Sequence, residues 1–317
     1  MNKISCETLN LCKIKPPCLL SMTELKKDEI EALLELAISL KSNPKHYAKA
    51  LEGKTLLMLF EKPSLRTRLS FDVGMKQLGG NTSIFDAEQT PLGAKETIED
   101  TAKVCGSYVD CIMARLYEHE KLVKLSENAG IPVINGLTND EHPVQVLSDL
   151  LTIKEKKGKL AGLKMCYLGD GKNNVTHSLL IGCAIMDIDI SVGCPKDAMP
   201  KKEYVNKAKG FGSGKIAITA DPIEAVKNAD IIYTDSWMSY HIEPSEKEDR
   251  VKKFMPYQVN SEKAKYAKSN FLFMNCLPAM RGCEQTAEII DGPHSIVFDQ
   301  AENRLHMQKA ILLKLLR

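Results

Sequence analysis

Two spacings of apolar residues alternate along the 317 positions of this chain. Short unbroken runs bounded by turn residues give way to longer stretches in which apolar positions return every three or four residues. Residues 23–41 put Ile30, Leu33, Leu34, Ala37 and Leu40 on one face of a helix. Runs at 54–59, 82–85, 109–114 and 131–134 read as strands, separated by helical spacing at 64–78, 95–107 and 119–128. A long helical stretch from His142 to Lys157 carries Val146, Leu147, Leu150 and Leu151 and ends in the polar run Lys154 to Lys159, a natural passage to a second domain. Strands at 163–168, 188–193, 215–219, 230–234 and 271–274 then alternate with helices at 174–186, 200–209 and 222–228 and a helical insert, and a last helix covers 299–316. Such alternation predicts an α/β chain of two doubly wound parallel-sheet domains joined by crossing helices. The first takes residues 1–153, with the C-terminal helix 299–317 packing back on it; the second takes 154–298. The length suits two domains of about 150 residues.

Open parallel sheets bind ligands beyond the carboxyl ends of their strands, so the residues after each run deserve the closest reading. After the first strand, Pro63 stops the run and Ser64-Leu65-Arg66-Thr67-Arg68 opens a helix in which Leu65, Leu69, Val73 and Met75 recur with helical spacing as far as Gly79-Gly80. Ser64 stands at the N-cap, where unpaired backbone N–H groups and the positive end of the helix dipole favour an anion, and Arg66 and Thr67 add donors. A phosphate fits this equipment best. Of 43 basic residues only seven are arginine, and two of those fall in this pentad. A chain that uses lysine for its surface keeps arginine where a planar fork must grip oxygens.

Other polar clusters follow other strands: Arg115, His142-Pro143-Val144-Gln145, Gly169-Asp170-Gly171-Lys172-Asn173-Asn174, Asp235-Ser236-Trp237-Met238-Ser239, and Cys276-Leu277-Pro278. Each alone also fits a plain structural role. His142 before a proline and Asp235 fit helix caps, Arg115 a surface charge, and Cys276 a small buried hydrophobe. Gly169-Asp-Gly171 invites a dinucleotide-binding reading, but the third glycine position holds Asn174.

Composition narrows the field. Net charge is +2 with 26% charged residues and no long block of one sign, so neither a nucleic-acid footprint nor an acidic tail is visible. No run approaches roughly 18 apolar residues, and the N-terminus lacks a charged segment followed by an apolar one, so a soluble, unexported, cytosolic protein is expected. The ten cysteines contain no Cys-x-x-Cys, and Cys111, Cys166 and Cys183 lie in apolar runs that look like core. Cys6, Cys12 and Cys18 are spaced six apart, but no nearby histidine completes a metal-ligand set.

Taken together, Ser-x-Arg-Thr-Arg, His-Pro-x-Gln, Asp-x-Trp-x-Ser and Cys-Leu-Pro stand in the order found in the aspartate/ornithine carbamoyltransferase family. The chain resembles that family, its ornithine branch in particular, from Leu19-Leu20 to Ala301-Glu-Asn-Arg304-Leu-His306. The resemblance implies transfer of the carbamoyl group of carbamoyl phosphate to the δ-amine of L-ornithine, giving citrulline and phosphate, with no metal and no cofactor. It implies that Ser64, Arg66 and Thr67 hold the phosphate, with Leu65 contributing through its backbone. Arg115, His142 and Thr67 would polarise the carbamoyl oxygen. Gln145 and the Leu277 carbonyl would bind the carbamoyl nitrogen, and Arg304 would reach the same ligand. Asn174, Asp235, Ser239 and Tyr240 would hold the amino-acid end of ornithine, with Cys276 beside the attacking amine. A homotrimer, or a multiple of trimers, is implied, with Asn81 the candidate for reaching over a neighbour's phosphate. Three positions depart from the family pattern: Leu65 replaces Thr, Asn275 replaces the His before Cys-Leu-Pro, and Tyr240-His241 replaces Met-Gly. The last bears on acceptor choice, so a carbamoyltransferase for another amine such as putrescine stands as the near alternative. A non-catalytic carbamoyl-phosphate binder and a nicotinamide oxidoreductase stand further off.

Overall fold

The computed structural model describes residues 18–87, 92–238 and 243–317. Cys6, Cys12, Ser239, Tyr240 and His241 lie outside the described residues. The chain divides into two compact units, one running to Leu147 and taking in Arg304–Arg317, the other Ser148–Asn303.

The first unit is built on four parallel strands, β1 Thr55–Phe60, β2 Asn81–Asp86, β3 Cys111–Arg115 and β4 Val133–Leu137, in the order β2-β1-β3-β4. Its helices are α1 Lys27–Ser42, α2 Leu65–Gln77, α3 Ile98–Tyr108 and α4 His119–Ala129. α5 Pro143–Lys157 and α12 Val297–Leu316 each contribute one end. Strands β1 and β3 are buried almost throughout, as unbroken apolar runs covered on both faces must be. The order reverses between β1 and β3, so the loops after these two strands flank the switch point where a ligand crevice forms.

The second unit repeats the scheme with five parallel strands, β5 Lys164–Leu168, β6 Asp189–Gly193, β7 Ile216–Thr219, β8 Ile231–Tyr233 and β9 Leu272–Met274, in the order β7-β6-β5-β8-β9. Here the switch falls between β5 and β8. Helix α6 Asn174–Ile185 is buried from Val175 to Ile185, and α7 Lys202–Lys209 and α8 Pro222–Val226 complete the regular part. Three short helices, α9 Lys247–Phe254, α10 Ser261–Ala264 and α11 Ala287–Ile290, make up the irregular remainder, of which the last has too short an apolar pattern to be read from sequence.

Two details differ from the periodicity. The first helix starts at Lys27, because Ser21 caps a separate 3-10 turn, Met22–Glu24, and Leu25 breaks it with extended backbone. In α2 the buried face is Thr67, Phe71, Gly74 and Met75, whereas Leu65, at 68% exposure, Leu69 and Val73 form an apolar row turned outward. Gly74 lies on the inward side because a Cβ there would stand 3.2 Å from Lys309 Cγ on α12.

Candidate active site

In the first unit the chain beyond β1 turns at Pro63, and Ser64 takes extended backbone and accepts the Thr67 N–H at its Oγ (3.2 Å), as an N-cap should. Arg66 is half-buried in the first turn, but Arg68 is exposed and sits near Asp72, helping to lower that carboxyl's pKa behind its hydrogen bonds from Lys76 and Thr82. Of the pentad's two arginines, only Arg66 is drawn in from solvent. Thr67 is buried, and Arg304 Nη2 donates to its Oγ1 (3.3 Å) while Arg304 Nη1 donates to Gln145 Oε1 (2.5 Å). Residues that lie 159 and 237 positions from Arg304 in sequence are therefore gathered by one guanidinium fork.

Arg115 ends β3, with its backbone carbonyl accepting the Glu61 N–H (2.9 Å). His142 precedes α5 and is held there by its neighbour Glu141, a buried carboxylate that accepts from Ser21 Oγ (2.7 Å) and the Met22 N–H (3.2 Å). Burial, and then the Arg304, Arg115 and Lys62 cations, hold His142 well below the ordinary imidazole value, so its ring is neutral at physiological pH. A neutral imidazole donates a hydrogen bond to a developing oxyanion without carrying a charge of its own.

Lys62 is the residue that sequence reasoning missed. It is 2% exposed, its ammonium meets Asn139 Oδ1 and stands 4.4 Å from the centre of the Tyr117 ring, and Arg115 is close enough to repel it. Burial above all, then Arg115, brings its pKa down to about 7, against the smaller opposing pull of Glu61 and Asp140. Lys62 beyond β1, Arg115 at the end of β3 and Arg304 on α12 are all buried and set their cations near neutral His142, a group suited to a doubly charged anion.

In the second unit the equivalent exits carry a carboxylate at their centre. Asp235, just after β8, accepts from Cys276 Sγ at Oδ1 (3.0 Å) and from Asn173 Nδ2 at Oδ2 (2.9 Å). Asn173 is the N-cap of α6, accepting from the Val175 N–H (2.7 Å), and Asn174 is the first residue of that helix, half-buried. Sequence reading named Asn174; the structure adds Asn173 beside it as Asp235's partner. The loop after Asp235 is anchored by Arg250, whose Nε donates to the Trp237 carbonyl (2.8 Å) and whose Nη2 pairs with Asp170 (2.7 Å). Gly171 answers to packing: a Cβ there would lie 2.6 Å from the Ala198 carbonyl. Leu277 carries positive φ (+57°), and Cys276 is half-buried.

Cys111, Cys166 and Cys183 are fully buried, and burial raises their thiol pKa values, that of Cys166 to about 12, as inert core thiols require. Asn81, exposed, is the first residue of β2. Among the described residues no group of three or more His, Cys, Asp or Glu side chains is arranged to hold a metal, and no helix is long and apolar enough to cross a membrane.

Comparison with known proteins covers both units. Residues 18–155 match the family described as aspartate/ornithine carbamoyltransferase, carbamoyl-P binding domain, and residues 161–315 match its Asp/Orn binding domain. The ornithine carbamoyltransferase of Bacillus subtilis is 52% identical over 301 residues, covering 94% of this chain and 93% of that protein. The Methanocaldococcus jannaschii enzyme of the same name is 48% identical over 297 residues, covering 92% and 97%. Among solved structures, ornithine carbamoyltransferase from Pyrococcus furiosus superposes with a TM-score of 0.90 at 45% identity, covering 95% of this chain and 97% of that one.

Proposed function

We infer the function from one premise: the chain belongs to the aspartate/ornithine carbamoyltransferase family. It transfers the carbamoyl group of carbamoyl phosphate to the δ-amine of L-ornithine, giving L-citrulline and phosphate. The observation that carries this reading is the cation-rich, N-capped anion site of the first unit, and the second unit by itself centres a carboxylate, Asp235, at its strand exits.

The chemistry follows from where charge develops. When the neutral amine attacks the carbamoyl carbon, negative charge builds on the carbamoyl oxygen and then on the departing phosphate. Ser64, Arg66 and Thr67, with the backbone N–H of Leu65, hold the phosphate at the start of α2. Arg115 and neutral His142, with Thr67, donate to the carbamoyl oxygen. Gln145 and the Leu277 carbonyl accept from the carbamoyl nitrogen, and Arg304, already bound to Gln145 and Thr67, fixes their orientation toward it. Asp235 pairs with the α-ammonium of ornithine, Asn174, Ser239 and Tyr240 grip its α-carboxylate, and Cys276 lies against the δ-amine. Leu65, standing where the family has Thr, turns its side chain to solvent, which suits a contribution through backbone alone.

The amine must be a diamino acid. A site that offers an amide, a carboxylate and a hydroxyl to an α-amino acid leaves those groups poorly paired when the acceptor lacks a carboxylate. Ornithine should therefore exceed putrescine by at least about tenfold in kcat/KM, ~1.4 kcal/mol, in a carbamoylation assay run across a panel of amines. Putrescine outranking ornithine would assign the chain to another amine, and no product with any amine would leave a carbamoyl-phosphate binder.

Assembly into trimers is part of the same proposal. Leu65, Leu69 and Val73 on α2, with Ile84 and Phe85 on edge strand β2, leave an apolar surface that a neighbouring copy would cover, and Asp72 of α2 accepts from Thr82 of β2, tying the two elements together. A cytoplasmic setting is supported by the cysteines: no disulfide joins any two of them among the described residues.

A further inference from the structure

Strand β9 ends at Met274, and the next three residues include the thiol and the carbonyl assigned to the proposed site. Leu277 takes a left-handed backbone (φ +57°) that a branched side chain rarely adopts unaided, so something must hold it. The holder is a chain of buried amides. The Leu277 N–H donates to Asn275 Oδ1 (2.8 Å), and Asn275 Nδ2 donates to Gln285 Oε1 (3.1 Å). The Asn275 N–H donates to Gln300 Oε1 (3.0 Å), and Gln300 Nε2 donates to Asp149 Oδ1 (2.8 Å) and to the Tyr233 hydroxyl (3.0 Å). Tyr233 in turn donates to Asp149 Oδ2 (3.0 Å).

This chain has a direction. The Asp149 carboxylate only accepts, so the Gln300 amide must turn its nitrogen toward Asp149 and its oxygen toward the Asn275 N–H. Gln285 Nε2 donates to the Met280 carbonyl (3.2 Å), which turns Gln285 Oε1 to Asn275 Nδ2 and leaves Asn275 Oδ1 for Leu277. Asn275, Gln285, Gln300, Tyr233 and Asp149 are all buried, so none of the three amides can flip without stranding a polar group. The two backbone N–H groups flanking Cys276, those of Asn275 and Leu277, are the ones captured, while the Cys276 thiol itself is bound to Asp235.

We propose that Asn275, backed by Gln300, is a positioning residue for the transfer step, aiming the Leu277 carbonyl and the Cys276 thiol without touching either substrate. The inference rests on the roles given above to Leu277 and Cys276. It also gives the departure at this position a meaning. An asparagine supplies the donor and acceptor that the loop needs from one side chain that does not titrate.

The test compares Asn275→Ala, which removes both contacts, with Asn275→Ser, whose uncharged hydroxyl keeps an acceptor for the N–H two residues on. Asn275→Ala should lose at least about tenfold in kcat while KM for ornithine moves less than about threefold, and Asn275→Ser should recover at least about threefold of the loss. Iodoacetamide labelling of Cys276, followed by peptide mass, should differ at least about threefold between Asn275→Ala and the parent. A kcat in Asn275→Ala within threefold of the parent overturns the proposal, as does a fall in Asn275→Ser equal to that in Asn275→Ala. Should Asn275→Ala not fold, the same comparison is made between Asn275→Ser and Asn275→Val, whose side chain offers the Leu277 N–H no acceptor, so equal kcat in these two overturns the proposal. If the parent itself makes no citrulline, the functional reading fails first, and Cys276 labelling still decides the placement, equal rates in parent and variant overturning it.

Discussion

Arg66→Lys should lower kcat/KM for carbamoyl phosphate at least about a hundredfold, or ~2.7 kcal/mol. The charge is kept, so the loss measures geometry. Arg66 is half-buried in the first turn of α2, beside an N-cap whose own hydroxyl is already used on the Thr67 N–H. A phosphate there has backbone donors on one side and needs two parallel donors on another, which a guanidinium presents rigidly and an ammonium does not. Arg68→Lys supplies the internal comparison. Arg68 is exposed and near Asp72, an arrangement that lysine reproduces, so its kcat/KM should stay within about twofold of the parent. Steady-state kinetics on the two variants side by side, with ornithine saturating, make the check. Near-parental turnover in Arg66→Lys would remove Arg66 from the phosphate site.

The contrast between those two arginines shows what a sequence conveys and what it withholds. Strands and helices were legible because burial on both faces of a parallel sheet writes unbroken apolar runs, and the Ser64 cap was legible because capping is settled within four residues. The facing of α2 was not. Periodicity gives the spacing of Leu65, Leu69 and Val73 but not which side faces the core, and these three turn outward. Contacts assembled from distant segments were also closed to pattern reading: nothing near Arg304 announces Gln145 or Thr67, which only the family resemblance brought into view. Asn174 comes from the family resemblance, and nothing in two adjacent asparagines at a helix start says that Asn173 is the one that turns to Asp235. Asn275 stands in the sequence only as a polar replacement for the histidine before Cys-Leu-Pro; that its two amide atoms close a buried chain is visible in the structure alone.

Lys62 was hidden by abundance, since lysine elsewhere in this chain is ordinary surface charge, and its burial depends on Asn139 and Tyr117 far along the sequence. That burial leads to the second large effect expected. The pKa of Lys62 falls from 10.5 to about 7, so the folded protein binds this proton far less readily than the unfolded chain does. Below pH 7 both states carry the charge and the folded state bears the whole cost of burying it. Between pH 7 and 10.5 the folded lysine is neutral while the unfolded one is still charged, so the cost fades as pH rises, and above 10.5 it is gone. Lys62→Met, of similar length and without the charge, should therefore melt several degrees higher than the parent at pH 6, with the difference narrowing steadily toward pH 10. Binding should move the other way. A dianionic ligand beside Lys62, Arg115 and Arg304 favours the charged lysine, so the variant should bind carbamoyl phosphate at least about tenfold more weakly at pH 6, ~1.4 kcal/mol, with a smaller deficit at pH 9. Melting curves and calorimetric titrations at both pH values separate the two effects. Parent and variant melting in parallel across the range would mean that Lys62 is not buried as a near-neutral amine, and equal affinities at pH 6 would mean that the anion lies out of its reach. If both shifts occur, Lys62 trades stability of the empty site for grip on its ligand, and the fold tolerates a buried lysine because the ligand's charge compensates it.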